Sequence, residues 1–260
     1  MGFTMGIYLI IFLFGVVMGS FFNVIGLRLP KKESLIVPRS HCRTCNVSLT
    51  ALDLVPILSY LAFKGRCRTC YSKISPVYPL MEFATGALVV LAVMKIGLSW
   101  ELPIALLFIS LLIIITVSDL AYKIIMNNVL LLFLISFILL RHTLVPLDPW
   151  WDASIAAIIG FLLLFLLAVL SKGGMGGGDI KLYGVIGFVL GISNVFLSLF
   201  IASVIGTVVG LTGMMMKKWD RKTIIPFGPF IAIGSISAYF FGEELITFYY
   251  ESFIRGFLLN

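Results

Sequence analysis

Two aspartates stand out because each lies where an apolar run meets a polar segment. Asp119 ends the run that starts at Leu111, and Asp179 follows a glycine-rich stretch and opens the next apolar segment. Two carboxylates that share one site cannot both ionise easily, so the pKa of one of them rises. One can then take a proton from water while the other donates a proton to a leaving amine, which is the chemistry of aspartyl peptide hydrolysis. Asp119 and Asp179 are therefore candidate catalytic residues.

The glycines before Asp179 bear on how its backbone is held. Gly176, Gly177 and Gly178 precede it directly, and glycine is a poor helix former. We expect these three residues to form an active-site loop whose backbone can approach a substrate strand. The residues alone leave another interpretation open, in which the two aspartates are unrelated helix-end residues and Asp179 is a helix N-cap.

The four cysteines form two Cys-x-x-Cys pairs with the same inner residues. They are Cys42, Cys45, Cys67 and Cys70, with 21 residues between the pairs. Four thiolates at such a spacing predict a closed, tetrahedral, structural zinc site. Free or redox-active thiols and disulfides remain alternatives, although stable disulfides are rare in the cytoplasm. His41, next to Cys42, is an alternative ligand.

The chain as a whole is too apolar for a soluble domain. Of its 260 residues 60% are hydrophobic and only 12% are charged, and a soluble surface must be largely polar. A membrane-spanning helix needs roughly 20 apolar residues. The apolar runs predict spans at 3–26, 78–96, 102–119, 124–141, 153–171, 180–193, 195–216 and 225–241.

These runs predict an all-α polytopic membrane protein with about eight transmembrane helices in three parts. Residues 1–26 form the first transmembrane helix, which lacks the basic start of a cleaved signal peptide. Residues 27–77 form a small cytoplasmic four-cysteine module between the first two helices. Residues 78–260 form a membrane-embedded domain that contains both aspartates.

Charge is distributed unevenly between the predicted loops. If the N-terminus is outside, sixteen of the 19 Lys and Arg residues lie on the other side, including Lys172 and the basic residues of 217–222. The positive-inside rule makes that side cytoplasmic. It then carries the cysteine module and both aspartates. The net charge of +7 is therefore interpreted as setting topology and not as binding nucleic acid.

Several stretches, in chain order, resemble the type IV prepilin peptidase family, the GxGD-type membrane aspartyl proteases. Besides the cysteine pairs and Asp119, they are Gly19-Ser-Phe-Phe-Asn-Val24, Arg28-Leu-Pro30, Pro56-Ile-Leu-Ser-Tyr60, Gly65-Arg-Cys67, Tyr78-Pro-Leu-Met-Glu82, Gly174-Met-Gly-Gly-Gly-Asp-Ile-Lys181 and Pro226-Phe-Gly-Pro-Phe230. One departure is Ile124-Ile-Met-Asn127, where the family commonly has isoleucine followed by proline.

The resemblance implies an enzyme of the bacterial inner membrane. Such an enzyme cuts the short basic leader from prepilins and pseudopilins after a glycine, at the cytoplasmic face. Many members then methylate the new N-terminal amine, with S-adenosylmethionine as the methyl donor. The resemblance assigns catalysis to Asp119 and Asp179, and metal binding to the four cysteines.

Other interpretations remain open. Glu82, at the cytoplasmic start of the second helix, is a candidate for binding a basic leader or a cofactor amine, and is otherwise an interfacial anchor. Buried acids and a broken helix also suit an ion-coupled transporter, although the chain shows no inverted repeat. A third hypothesis is a non-catalytic assembly factor that holds pilins through the cysteine module.

Overall fold

The computed structural model describes residues 2–171, 174–216 and 225–255, and this part of the chain is mainly helical. Its α-helices are α1 Gly2–Arg28, α2 Leu58–Ala62, α3 Val77–Ile96, α4 Glu101–Tyr122, α5 Asn127–Thr143, α6 Asp152–Leu170, α7 Gly177–Met215 and α8 Gly228–Tyr249. The only β-pairing among the described residues consists of two isolated bridges. The predicted all-α class is confirmed for them. Lys172 and the basic residues of 217–222 lie outside the described ranges.

Six of these helices are long and apolar enough to cross a membrane. They are α1, α3, α4, α6, α7 and α8. Helix α5 is apolar but has only 17 residues, and α7 has 39 residues, about twice the length that a crossing needs. The described residues therefore contain six candidate membrane-spanning helices, fewer than the eight predicted spans.

Helix α7 consists of two helical halves joined at Gly191. This glycine has φ 77° and ψ 173°, which no helix contains. The hydroxyl oxygens of Tyr183 and Ser198 are 3.3 Å apart, whereas fifteen residues of straight helix would separate them by about 22 Å at 1.5 Å per residue. The two halves therefore fold back on each other as a hairpin, which corresponds to the predicted break between spans 180–193 and 195–216.

The chain divides into two compact units, Met1–Ile124 and Ile125–Asn260. In the second unit, the hairpin packs closely against α6 and α8. A Cβ atom on Gly187 would overlap the carbonyl of Ala156, and one on Gly234 would overlap that of Ser198. Ser198 also lies 3.0 Å from Ser235 Oγ of α8. Small residues and interhelical hydroxyl contacts are typical of helix packing in membranes.

In the first unit, α1 packs against α3 on one face and against α4 near its end. A Cβ atom on Gly19 would lie 2.9 Å from Glu82 Cα of α3, and one on Gly26 would lie 2.8 Å from Val117 Cβ of α4. The hydroxyl of Tyr122 donates to the carbonyl of Leu27 at 3.1 Å. The end of α1 therefore fixes the start of α3 and the end of α4.

Candidate active site and metal centre

The four cysteines come together on two matching turns. The Cys42 N–H donates to the Val47 carbonyl at 3.0 Å, and the Cys67 N–H donates to the Ser72 carbonyl at 2.9 Å. Each turn is flanked by an isolated bridge. The Sγ atoms all lie within 4.8 Å of one another, and all four cysteines are free thiols.

The cysteine cluster fits a tetrahedral metal ion. Zinc–sulfur bonds of about 2.3 Å place the sulfurs of a tetrahedron about 3.8 Å apart, and Cys42 Sγ lies 3.7 Å from Cys70 Sγ. Hydrogen bonds from the backbone of Cys45 and Thr44 lower the pKa of Cys42 to about 5. The hydroxyl of Ser72 lowers the pKa of Cys70. Since the thiolate is the form that binds metal, the cluster could hold a metal ion.

His41 is not a member of this cluster. Its Nδ1 lies 3.1 Å from the carbonyl oxygen of Arg39. The cysteines alone therefore supply the donor set.

Asp119 lies in the last turn of α4, in the first unit, and is only 6% exposed. Its carbonyl accepts the N–H of Lys123 at 2.8 Å, and Lys123 ends the helix with a left-handed backbone, φ 57°. The hydroxyl of Ser118 donates to the carbonyl of Ile124. The structure thus places a buried carboxyl group at a tightly fixed helix end.

Asp179 lies in the first turn of α7, in the second unit. The N-cap is Gly176, with an extended backbone of φ −71° and ψ 139°. A Cβ atom on Gly176 would lie 3.2 Å from Asp179 Oδ2, so the half-buried carboxylate folds back over the helix start. Gly177 and Gly178 are the first helical residues. Of the predicted loop, only Gly176 is non-helical, and Asp179 is not itself the N-cap.

Gly178 makes the closest contact at this helix start. A Cβ atom there would lie 2.7 Å from Cβ of Ile125, whereas one on Gly177 would meet nothing within 4 Å. A side chain at position 178 would therefore displace the segment that leads into α5. This contact explains why a glycine is needed there.

A cavity of about 480 Å³ lies between the cysteine module and the adjoining ends of α1 and α3, within the first unit. Glu82 lines it and is 8% exposed, and its Oε2 accepts the N–H of Ile57 at 2.8 Å. Asn23 also lines it and donates from Nδ2 to the Tyr78 carbonyl at 3.1 Å. Sequence reasoning named Glu82 as a candidate and included Asn23 only within the stretch Gly19–Val24 that resembles the family, without giving it a role.

Comparison with known proteins connects these features. Residues 13–96 match the Bacterial Peptidase A24 N-terminal domain, and residues 106–211 match the Type IV leader peptidase family. A prepilin leader peptidase/N-methyltransferase of Bacillus subtilis (strain 168) is 42% identical over 240 residues, which cover 92% of this chain and 96% of the relative. The chain belongs to the type IV leader peptidase family.

Other members of the leader peptidase family match over a similar length. Proteins of the same name from Aeromonas salmonicida (strain A449) and Legionella pneumophila are each 33% identical, over 275 and 270 residues. The matches cover 94% and 93% of this chain and 94% of each relative. No solved structure matches the chain.

The leader peptidase match divides the candidate residues between two segments. Asp119 and Asp179 lie in the segment that matches the peptidase family, and the cysteine cluster lies in the segment that matches the N-terminal domain. The resemblance seen in the sequence is confirmed. The match supports a peptidase and gives no support to the transporter hypothesis.

Proposed function

We propose that this chain is a membrane-embedded aspartyl endopeptidase that cuts the short basic leader of prepilins and pseudopilins after a glycine. The same protein then methylates the new N-terminal amine. The observation that carries the proposal is 42% identity, over 92% of the chain, to a Bacillus subtilis protein named prepilin leader peptidase/N-methyltransferase.

Asp119 and Asp179 are the proposed catalytic pair. One carboxylate takes a proton from water as the water oxygen attacks the scissile carbonyl carbon. The other, protonated, donates its proton to the leaving nitrogen as the carbon–nitrogen bond breaks. The products are a carboxylate on the leader glycine and a free amine on the pilin. Burial of Asp119 at 6% exposure supports this role, because an ionisable group inside a membrane helix is costly to keep without a function.

The metal proposed for the cysteine cluster is zinc. Four thiolates leave no open coordination position, so the ion joins the two matching turns and takes no part in hydrolysis. S-adenosylmethionine, when bound, supplies the methyl group for the new N-terminal amine.

The proposed topology has eight crossings in the bacterial inner membrane, with the N-terminus outside. The hairpin at Gly191 supports this count, because it divides α7 into two antiparallel halves, and α5 supplies the eighth segment. Trp100 and Trp151 precede α4 and α6 and are 69% and 44% exposed, as expected of aromatic residues at a membrane interface. The exposed apolar side chains of α1, such as Ile10 at 68%, fit contact with lipid.

The domain division follows from this topology. Residues 1–26 form the first crossing, 27–77 the cytoplasmic cysteine module and 78–260 the membrane-embedded peptidase domain. Both aspartates and the module then face the cytoplasm, where the basic leader of a prepilin lies.

Mass spectrometry of a coexpressed prepilin tests the proposal. The wild type is expected to yield pilin cut after the leader glycine and carrying one added methyl group. Asp119→Asn and Asp179→Asn are expected to leave the prepilin uncut while inserting normally into the membrane. Asp148→Asn, which changes an exposed loop carboxylate, is the matched control and should process normally. Normal cleavage by either of the first two variants would refute the catalytic pair.

A further inference from the structure

Arg141 is a buried cation in the last turn of α5 and is only 5% exposed. Its guanidinium group stays charged at any physiological pH, and burying a charge is costly unless polar partners compensate for it. Nη2 donates to the carbonyl of Val189 at 2.9 Å, and Nη1 donates to the carbonyl of Val145 at 3.4 Å. The next residue, His142, stacks its ring on Phe188, with the ring centroids 6.0 Å apart. The end of α5 therefore contacts α7 through two adjacent side chains.

The partner of Arg141 lies where the first half of α7 ends. Val189 is two residues before Gly191, whose backbone breaks the helix. Carbonyl groups in the last turn of a helix lack helical partners and carry the negative end of the helix dipole. Arg141 therefore supplies both the donor and the positive charge that stabilise this helix end.

A group of opposite charge lies on the other side of the break. Asp152, in the first turn of α6, accepts the N–H of Ile192 on its Oδ2 at 3.2 Å. Ile192 is at the start of the second half of α7, where N–H groups lack helical partners and an anion is favourable. The break at Gly191 thus has a cation at the helix end before it and an anion at the helix start after it.

Helix α5 holds the first half of α7 near both of its ends. Near its start, Nζ of Lys181 donates to Oδ1 of Asn127 at 3.0 Å, and at its end the carbonyl of Val189 accepts from Arg141. Because the residue numbers of both helices rise from the first pair to the second, the two helices run in parallel. Helix α5 is therefore a brace along the first half of α7.

The contacts of this half with α6 are of a different kind. A Cβ atom on Gly187 would overlap the carbonyl of Ala156, and one on Gly160 would overlap the carbonyl of Tyr183. Backbone packed on backbone limits how closely two helices approach, whereas a hydrogen bond is directional and also fixes the position along the axis. The attachments to α5, together with the contact between Tyr183 and Ser198 within the hairpin, therefore set the axial position of the first half of α7.

We propose that Arg141 is a positioning residue for prepilin hydrolysis, because it holds the far end of the helix that carries Asp179. Asp179 lies in the first turn of α7, ten residues before Val189, or about 15 Å away at 1.5 Å per residue. A rigid helix transmits a shift at one end to the other. Misplacement of a catalytic group by about 1 Å can cost about a hundredfold in rate. The inference rests on the proposed catalytic role of Asp179.

Steady-state kinetics of prepilin cleavage by the full-length protein in nanodiscs test this role. Arg141→Met keeps a long apolar side chain but removes the donors and the charge. It is expected to lower kcat about tenfold to a hundredfold and to leave KM within about twofold of the wild type, because positioning acts on the chemical step. Arg141→Lys retains a cation that can donate to Val189 and should recover most of the activity. Lys95→Met removes an exposed cation from the last turn of α3 and is the matched control, with wild-type kinetics expected.

The pH profile of kcat separates positioning from a loss of folded protein. A smaller folded fraction lowers kcat by the same factor at every pH and leaves the limbs of the profile in place. A displaced Asp179 interacts differently with the second carboxylate, so at least one limb is expected to move in Arg141→Met. Size-exclusion chromatography at each pH checks that the variant stays folded.

Three results would overturn the positioning role: wild-type kcat in Arg141→Met, a lower kcat with an unmoved pH profile, or Arg141→Lys no more active than Arg141→Met. If Arg141→Met fails to insert into the membrane, Arg141→Gln, which keeps a donor without the charge, replaces it with the same expectations. In each case wild-type cleavage that depends on Asp179 leaves the proposed function intact. Cleavage that persists in Asp179→Asn would instead refute the catalytic pair on which the inference rests.

Discussion

The carboxylate of Glu82 accepts a 2.8 Å hydrogen bond from the backbone N–H of Ile57, twenty-five residues earlier in the chain. This contact ties the cysteine module to the membrane end of α3. It also holds Ile57 at φ 61°, a conformation that a β-branched residue avoids when free to do so.

The first prediction concerns this tie. Glu82→Ala removes the acceptor and should lower stability by about 1–3 kcal/mol, the cost of an unpaired buried group. Glu82→Gln keeps an oxygen for Ile57 and should lose less than half of that amount. Thermal unfolding of the purified variants in one detergent compares them. Equal melting temperatures for Glu82→Ala and the wild type would show that Ile57 does not depend on Glu82.

The second prediction uses two adjacent glycines with different surroundings. Gly178→Ala places a methyl group 2.7 Å from Ile125 Cβ, while Gly177→Ala meets open space. Overpacking of this kind costs about 1–3 kcal/mol, so kcat/KM for prepilin should fall at least several-fold in Gly178→Ala and stay near wild type in Gly177→Ala.

A compensating change checks the cause of that loss. Replacing Ile125 with alanine in the Gly178→Ala background removes the clashing side chain and should restore part of the activity. A double variant no better than Gly178→Ala alone would exclude the Ile125 contact as the reason.

The third prediction concerns the turn of the hairpin. Gly191 has φ 77° and ψ 173°, a region essentially restricted to glycine, and a Cβ atom there would overlap the carboxylate of Asp152. Gly191→Ala should destabilise the protein by at least about 1–3 kcal/mol. Gly184→Ala is the control within the same helix, since its Cβ would make only ordinary contacts of 3.6 Å or more, and should be neutral or stabilising by up to about 1 kcal/mol. Thermal unfolding that ranks the two variants in the opposite order would contradict this role.

The fourth prediction concerns metal uptake and its pH dependence. The N–H of Val47 lowers the pKa of Cys45, but desolvation and the neighbouring thiols outweigh it and raise that pKa to about 11. Cys42, with a pKa of about 5, is already ionised at pH 7. Metal binding must therefore release the proton of Cys45, and affinity should fall as the pH falls. Zinc titration in weak buffer with a pH indicator measures the released proton.

Substitutions test the same donor set. Cys67→Ser should lose most of the bound zinc, whereas His41→Ala should keep about one ion per chain, because its ring faces Arg39. Mass spectrometry measures the zinc bound per chain in both variants. Loss of zinc in His41→Ala would place the histidine among the ligands.

The helices follow from the length of apolar runs, and the sequence predicted most of them closely. Span 153–171 compares with α6 at Asp152–Leu170, and span 78–96 with α3 at Val77–Ile96. The last span was predicted to end at residue 241, but α8 continues to Tyr249. The exposed Glu243 lies in that extension. Charges ended the apolar run without ending the helix, because charged side chains can reach water where a helix leaves the membrane.

The sites were predictable only where their parts are local. Each Cys-x-x-Cys pair lies on one short turn, so the cysteine spacing was enough to predict the cluster. The cavity joins Asn23, Asp53 and Glu82 from three separate segments. Which of their polar atoms find hydrogen-bond partners depends on packing, and residue spacing does not predict packing. For the same reason the spacing of Asp119 and Asp179 predicts no geometry, and their joint action stays a prediction.

The boundary between Ile124 and Ile125 has a consequence for biosynthesis. Asp119 belongs to the unit that ends at Ile124, whereas Asp179 belongs to the unit made later. The ribosome can therefore deliver a packed first half while the second aspartate has yet to be translated. Since the proposed hydrolysis needs both carboxylates, the nascent chain is inert toward other polypeptides during insertion, and translation itself sets the moment of activation.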